Sequence, residues 1–346
     1  RADAKPMPMS EVVDVMQSSF GHGWEHRFTR FSFTPMAAAS IGQVHAATTQ
    51  SGRHLALKIQ YPGIVQSIDS DVDNVATLLR VSRLVPDGLD LQPLLQEAKR
   101  QLHEEADYLL EARHLRHFAA VLADMPEYLV PGVDEDLTRK NILAMDFLDG
   151  VPIESLTTAT QTTRDRVIKL LLELLFRELF VFGMIQTDPN FANFLYNNTT
   201  RQVELLDFGA TRHYPAAVIQ AYRGLLCAAL REDHAAMSES AEAIGYFSED
   251  IHTSQRAAVL KLFSLATEPA ITGGSFDFGS SDLAVRIRDA GMALSFDEGY
   301  WHTPPADAVF LHRKLGGLYL LAARLRANID VRAILEKHLE SQDTPA

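Results

Sequence analysis

Gln186-Thr187-Asp188-Pro189-Asn190-Phe191-Ala192-Asn193, followed fourteen residues later by Asp207-Phe208-Gly209, is the stretch on which the reading of this chain turns. An Asp five residues ahead of an Asn, with an Asp-Phe-Gly downstream, is the spacing of a phosphoryl-transfer floor. The first Asp orients or deprotonates the acceptor, and the Asn and second Asp offer oxygen ligands to magnesium. Asp188, Asn193 and Asp207 hold those positions. Asp-Phe-Gly alone is weak, since a second copy stands at Asp277-Phe278-Gly279. The first copy has local support: Phe194-Leu195-Tyr196 and Val203-Glu204-Leu205-Leu206 flank Asn197-Asn198-Thr199-Thr200 as strand, turn, strand. That hairpin is expected to bring Asn193 and Asp207 to adjacent strand ends. The second copy follows Gly273-Gly274-Ser275 and reads as a loop with an incidental match.

Upstream, side chains alternate from Arg53 to Gln60, with Leu55, Leu57 and Ile59 on one face and Ala56, Lys58 and Gln60 on the other. This is the pattern of a half-buried strand. Taken alone, Lys58 would be a solvated surface lysine. Its position after a phosphate-type loop favours a binding role. That loop is Ala37-Ala38-Ala39-Ser40-Ile41-Gly42-Gln43-Val44. Laid on G-x-G-x-x-G-x-V it keeps Gly42 and Val44 and has Ala37 and Ala39 in the other two glycine positions. Each added Cβ penalises positive φ and holds backbone away from phosphates, so a stiffer loop with altered nucleotide geometry is expected. An alanine run otherwise favours helix, but Pro35 and Gly42 argue against a long one.

A helical pattern runs from about Leu91 to Leu122, carrying Glu104, Glu105, Asp107 and Glu111. One acid on it could hold the Lys58 ammonium toward phosphates, and Glu111 is the first candidate, with Glu105 second. The alternative is a solvated charged face. Strands are expected near 28–34, 43–49, 54–60, 128–131 and 141–147, forming with the helix a smaller lobe over 1–146. A mainly helical lobe follows over 147–346. Met145 to Gly150, including Met145 and Phe147, would be the hinge where backbone groups meet an adenine.

These residues resemble the UbiB family of atypical kinases, also called the AarF-domain or ubiquinone-biosynthesis kinase-like family. The resemblance rests on the loop Ala37 to Val44, on Ala56-Leu57-Lys58-Ile59-Gln60 with Tyr61-Pro62-Gly63, and on Glu105-Ala106-Asp107-Tyr108 with Glu111-Ala112. It continues through Gln186 to Asn193, Asp207-Phe208-Gly209 and Leu311-His312-Arg313-Lys314-Leu315-Gly316-Gly317. It covers about Pro35 to Arg326, and Gln-Thr-Asp-Pro-Asn looks most like the coenzyme Q branch. The resemblance implies an α+β, protein-kinase-like two-lobe fold that binds ATP or ADP with Mg2+ and supports ubiquinone biosynthesis at a membrane. It makes Glu105 and Asp107 the acidic E-x-D motif, whose usual partner is a K-x-G-Q helix covering the site. No K-x-G-Q occurs in this sequence, which opens at Arg1 rather than Met. The lid, or a targeting segment, is expected either to precede this sequence or to be lacking.

Bulk properties bound the partners. The 346 residues are 47% hydrophobic and 22% charged, ordinary globular values that allow two lobes with ample core. A net charge of −13 argues against nucleic acid. The single cysteine, Cys227, lies in a helix-like segment and points to a reducing compartment. The apolar run Leu170 to Ile185 is interrupted by Glu173, Arg177 and Glu178, so it reads as a core or amphipathic helix, and any membrane contact is expected to be peripheral. The cytoplasmic face of a bacterial inner membrane and the mitochondrial matrix side both fit. The thirteen histidines show no metal-ligand spacing beyond the helix-compatible pairs His22 with His26 and His114 with His117.

Two departures from ordinary protein kinases bear on the acceptor. Gln186-Thr187 replaces the usual His-Arg, and a new helix is expected by about Pro215, with no Ala-Pro-Glu after it. So short a segment gives little platform for a polypeptide, so ATP hydrolysis or a small, lipid-like acceptor such as a quinone precursor is expected. Ubiquinone-biosynthesis proteins would then be partners. A nucleotide-binding regulator that scaffolds partner enzymes, and a small-molecule kinase of aminoglycoside or choline type, are the competing readings.

Overall fold

The computed structural model describes residues 6–82, 92–300, 302 and 304–340. The chain opens on helix α1 (Met9–Phe20) and strands β1 (Phe28–Phe31), β2 (Ala37–Ala38), β3 (Gly42–Thr49) and β4 (His54–Gln60). Helices α2 (Ile64–Ser82), α3 (Gln92–Glu105) and α4 (Tyr108–Val121) follow, then strands β5 (Tyr128–Leu129), β6 (Ile142–Asp146) and β7 (Val151–Pro152). Next come α5 (Gln161–Arg177), β8 (Met184–Gln186), β9 (Phe194–Tyr196), β10 (Val203–Leu205) and β11 (Thr211–His213). The remainder is α6 (Ala216–Leu230), α7 (His234–Ile244), α8 (Thr253–Ile271), β12 (Phe276–Asp277), α9 (Leu283–Phe296), α10 (Ala306–Arg324), β13 (Asn328–Ile329) and α11 (Val331–Leu339). Contacts divide the chain into two compact units, Arg1–Gly150 with Leu195–Ala210, and Val151–Phe194 with Thr211–Ala346.

In the first unit β1, β3, β4 and β6 lie side by side, with β2 paired to β3, in a five-stranded antiparallel sheet. Lys58 sits mid-sheet, opposite Val44 on one side and Leu143 on the other. Leu55, Leu57 and Ile59 are fully buried against Val12 and Met16 of α1 and against Trp24 and Phe28. The other face of β4 was expected to meet solvent. It is buried as well, because the Gln60 amide donates to the Ala106 carbonyl at 2.7 Å and Lys58 is covered by α4.

Several elements differ from expectation. The pattern from Leu91 to Leu122 folds as two helices, and Leu91 itself lies outside the described residues. The break follows from Asp107, whose carboxylate accepts the Leu109 and Leu110 N–H groups as an N-cap for α4. β5 does not join the sheet of Lys58; it runs parallel to β10, which pairs with β9 in a separate sheet. The alanine run is strand, since Ala37 and Ala38 pair with Val44 and Gln43.

Gly42 shows why a glycine is needed at the start of β3. A Cβ there would stand 2.1 Å from the Ile59 carbonyl oxygen. Gly42→Ala therefore has to part β3 from β4, at a cost of about 1–3 kcal/mol. Thermal denaturation should show a lower midpoint for Gly42→Ala, whereas Gly291→Ala, inside α9 and with nothing within 4 Å of a Cβ, should keep or raise it.

The second unit is mainly helical. Thr160 caps α5, whose Ile168, Leu171, Leu172 and Leu175 are buried. α5 runs into a single π turn, Glu178–Phe182, before β8, which pairs with β11. Cys227 is half-buried on α6. Among the described residues no helix is long and apolar enough to cross a membrane.

Candidate functional site

In the first unit the Lys58 ammonium lies 3.0 Å from both carboxylate oxygens of Glu111 and 3.0 Å from Oδ2 of Asp207. It also sits 5.1 Å from the centre of the Tyr108 ring. Lys58 and Glu111 are buried, while a quarter of the Asp207 side chain stays exposed. Glu105, the other acid proposed for Lys58, instead accepts a hydrogen bond from the Ser40 hydroxyl and so ties α3 to the alanine loop. The other Asp207 oxygen accepts the Gly209 N–H at 2.9 Å, and His114 of α4 contacts the Phe208 carbonyl, the middle of the tripeptide, at 3.0 Å.

One ammonium faces two carboxylates. Burial alone would lower Lys58, but the charges of Asp207 and Glu111 outweigh it and hold the ammonium well above its ordinary value. Burial opposes ionisation of Asp207, yet Lys58 and the Gly209 N–H keep it below the usual range. Glu111, with burial and the Asp207 charge acting together, is pushed up to about 8. A carboxyl raised on folding contributes stability that is fully present below its unfolded value and is lost as pH rises through about 8. Thermal midpoints measured between pH 5 and 9 should therefore fall for the wild type relative to Glu111→Gln. The slope should not exceed about 1.4 kcal/mol per pH unit, the limit for one proton.

The remaining candidates of this unit are spread along the same sheet. Ala37, Ala38 and Ser40 are exposed, Ala39 and Val44 half-buried, and Gly42 buried. Met145 is buried in β6 opposite Ala56. The Phe147 N–H donates to the His54 carbonyl at 3.0 Å, so it is not free to serve as the backbone donor expected at this segment. Asp107 is the N-cap described above. At the end of the expected hinge segment, Gly150 donates its N–H to the buried Glu204, which also accepts from Asn197.

In the second unit the loop after β8 holds Asp188, whose Oδ2 accepts from the Asn193 amide at 2.8 Å and whose Oδ1 accepts the Asn190 N–H. Asn190 in turn caps the short turn Phe191–Asn193. Gln186 donates to the Asp188 carbonyl at 3.2 Å, so it supports the loop from its base. Asn193 is the residue before β9, and Asp207 lies two beyond β10.

Two residues that support this loop had no role assigned from sequence. Lys314 of α10 and Glu178 of the π turn form a buried ion pair. Burial pushes the Lys314 ammonium down and the Glu178 carboxyl up, and Asp188 adds its negative charge near Lys314. On the same helix a Cβ at Gly317 would come within 3.0 Å of the Pro189 side chain. The signal in the sequence was weak, because Glu178 is one of two acids in the apolar run Leu170 to Ile185 and Lys314 follows Arg313 in α10.

The second Asp-Phe-Gly turns out to be a structured element. Asp277 ends β12, which pairs with β13, and its Oδ1 accepts the Gly279 N–H at 2.9 Å, as Asp207 does with Gly209. Phe278, like Phe208, is buried. The difference is the second oxygen, which in Asp277 accepts from Ser280 and in Asp207 faces Lys58.

The donor set suits magnesium. Asp207 and Asn193 carry hard oxygen atoms, and Mg2+ typically takes one or two protein oxygens and completes its shell with phosphate and water. Among the described residues no group of three or more His, Cys, Asp or Glu side chains could hold a metal ion.

The ABC1 atypical kinase-like domain family matches residues 1–241. Over 328 residues the chain is 39% identical to the mitochondrial atypical kinase COQ8 of Saccharomyces cerevisiae, covering 94% of this chain and 65% of that protein. Over 336 residues it is 35% identical to the mitochondrial atypical kinase COQ8B of Rattus norvegicus, covering 97% of this chain and 63% of that protein. The chain thus spans somewhat under two thirds of the length of these relatives. Among solved structures it is similar to Mycobacterium tuberculosis Rv3197 in its complex with erythromycin, with a TM-score of 0.74 and 25% identity over 98% of this chain and 84% of that one. The α+β fold, with a lysine strand, a glutamate helix and an Asp-Phe-Gly hairpin in kinase order, is protein-kinase-like, and the chain belongs to the ABC1 atypical kinase-like family, the UbiB and AarF group that its motifs resemble.

Proposed function

We propose that this chain binds ATP with Mg2+ and acts as an atypical kinase or ATPase in support of ubiquinone biosynthesis. The observation that carries the reading is Lys58, fixed in the sheet and held between Glu111 and Asp207, since an ammonium with that support is a phosphate ligand in kinase chemistry. In this reading Ala37 to Val44 pass over the phosphates, Met145 and Phe147 flank the base, and Lys58 contacts the α and β phosphates. Asp207 and Asn193 are the residues that would hold Mg2+, which when bound would supply charge neutralisation for a transferring phosphoryl group. Asp188 orients the acceptor hydroxyl or water, with its carboxylate held by Asn193 and Asn190. Glu105, through Ser40, holds the alanine loop in place.

The acceptor is small or lipid-like. Only Ala210 stands between Gly209 and β11, and α6 begins at Ala216, so the segment that docks polypeptides in other kinases is very short. A quinone precursor and partner enzymes of that pathway fit this reading, with peripheral membrane contact on a bacterial cytoplasmic face or a mitochondrial matrix face. The two relatives described above are named as mitochondrial proteins.

Phosphate release from ATP with magnesium, with and without liposomes carrying a phenol resembling a quinone precursor, tests this. Turnover that rises with lipid or phenol is the expected result. Magnesium-dependent nucleotide binding without turnover under any condition would instead make the chain a regulator that scaffolds other enzymes. Efficient phosphorylation of added polypeptides, lost in Asp207→Ala, would overturn the acceptor class.

A further inference from the structure

Tyr108, the first residue of α4, is fully buried, and among the described residues its hydroxyl has no hydrogen-bond partner. Its backbone is fixed, because the Asp107 cap starts the helix there and the Tyr108 N–H donates to the Lys140 carbonyl at 3.1 Å. A buried donor without an acceptor is costly, and the large majority of buried polar side-chain atoms in native proteins have a partner. This exception stands beside the ammonium on which the nucleotide reading turns: Lys58 lies over the Tyr108 ring, 5.1 Å from its centre.

The surroundings narrow the acceptor that would complete this hydroxyl. Burial, together with the charges of Glu111, Asp207 and Glu105, outweighs the Lys58 ammonium and holds the phenol above its ordinary value, so the group keeps its hydrogen and is a donor. Each of those carboxylates already has another donor. Glu111 and Asp207 accept from Lys58, Asp207 also accepts the Gly209 N–H, and Glu105 accepts from Ser40. None of them accepts from Tyr108. Lys58 is itself buried, and of its two carboxylate partners Asp207 is the partly exposed one. A phosphate therefore reaches the ammonium by taking the place of the Asp207 carboxylate, and it arrives among the side chains whose charges act on the hydroxyl. An oxygen bound by Lys58 lies about 3 Å from its nitrogen. The other oxygens of the same phosphate then span from the ammonium to the edge of the ring on which it rests.

We propose that the Tyr108 hydroxyl is a further nucleotide ligand, donating a hydrogen bond to an oxygen of the phosphate that Lys58 holds; this deepens the nucleotide reading above and rests on it. Tyr108→Phe keeps the ring under the ammonium and removes the hydroxyl alone. The thermal midpoint of this variant without nucleotide should equal or exceed that of the wild type, because the free protein loses no hydrogen bond. Isothermal titration with ADP and Mg2+ should show affinity weakened about tenfold or more, the effect of losing one hydrogen bond to a charged group. Adenosine, titrated as a competitor of ADP, carries no phosphate and should keep its affinity. A wild-type protein that binds no ADP with Mg2+ would overturn the nucleotide reading and this proposal with it. Where the wild type binds, equal ADP affinity in Tyr108→Phe overturns the proposal alone. A lowered midpoint, or a parallel loss of adenosine, also overturns it, since either makes the hydroxyl a structural group.

Discussion

Asp207→Asn should lower ATP turnover by about 10²–10³-fold or more, the usual effect of removing one fixed group that offsets transition-state charge. Asp277→Asn, in the second copy of the same tripeptide, should leave turnover within about twofold. The two aspartates share their local geometry, with Oδ1 accepting the N–H of the following glycine at 2.9 Å in both. Asparagine keeps that acceptor, so neither variant removes the turn. What Asp207→Asn removes is the charge facing Lys58. The Lys58 ammonium then has a single carboxylate partner, Glu111, whose raised pKa should fall because the Asp207 charge was one of its causes. Relief of that repulsion means the variant should not be much less stable, so loss of turnover with an unchanged thermal midpoint would locate the effect in chemistry. Phosphate release and thermal denaturation of the wild type and both variants decide it; equal losses in the two variants would mean that the motif acts only as a turn.

How much of this was legible in the sequence depended on range. The Asp188, Asn193 and Asp207 spacing could be read because the loop and hairpin are local, and their backbone is set by turn residues such as Asn190 and Asn197. The strand of Lys58 was legible from alternation, but its burial was not. The groups that cover it, Ala106, Tyr108 and Glu111, come from a segment about fifty residues further on, and nothing in a period of two reveals a second covered face. Asp107 misled the helix assignment, because an aspartate inside an apolar period was read for chemistry when it also marks a helix start. α2 had a visible pattern in Ile64, Ile68, Val72 and Ala76, each four residues apart, but it was not assigned. β5 could not be placed from sequence, since which strand it joins is decided by β10, far along the chain.

The pair Lys314 and Glu178 sits at the opposite extreme, invisible as a pair until the fold brings the two charges together, and it carries the largest expected stability effect. Their side chains are 4% and 1% exposed. Lys314→Met leaves a buried carboxyl without its cation and should destabilise the protein by about 3–5 kcal/mol. For a unit of this size that lowers the midpoint by roughly 2–4 °C for each kcal/mol. The double variant Lys314→Met with Glu178→Leu fills the same space with apolar groups, and should recover most of the loss, because replacing both members of a buried pair is often neutral or stabilising. Turnover should not recover with it. The Lys314 charge acts on Asp188, and α10 meets the Asp188 loop again where Gly317 packs on Pro189, so removing the cation changes the field at the group proposed to orient the acceptor. Denaturant unfolding and phosphate release on the single and double variants separate the two roles. Recovery of stability without turnover makes Lys314 a positioning residue for Asp188, whereas recovery of both would reduce the pair to a structural one.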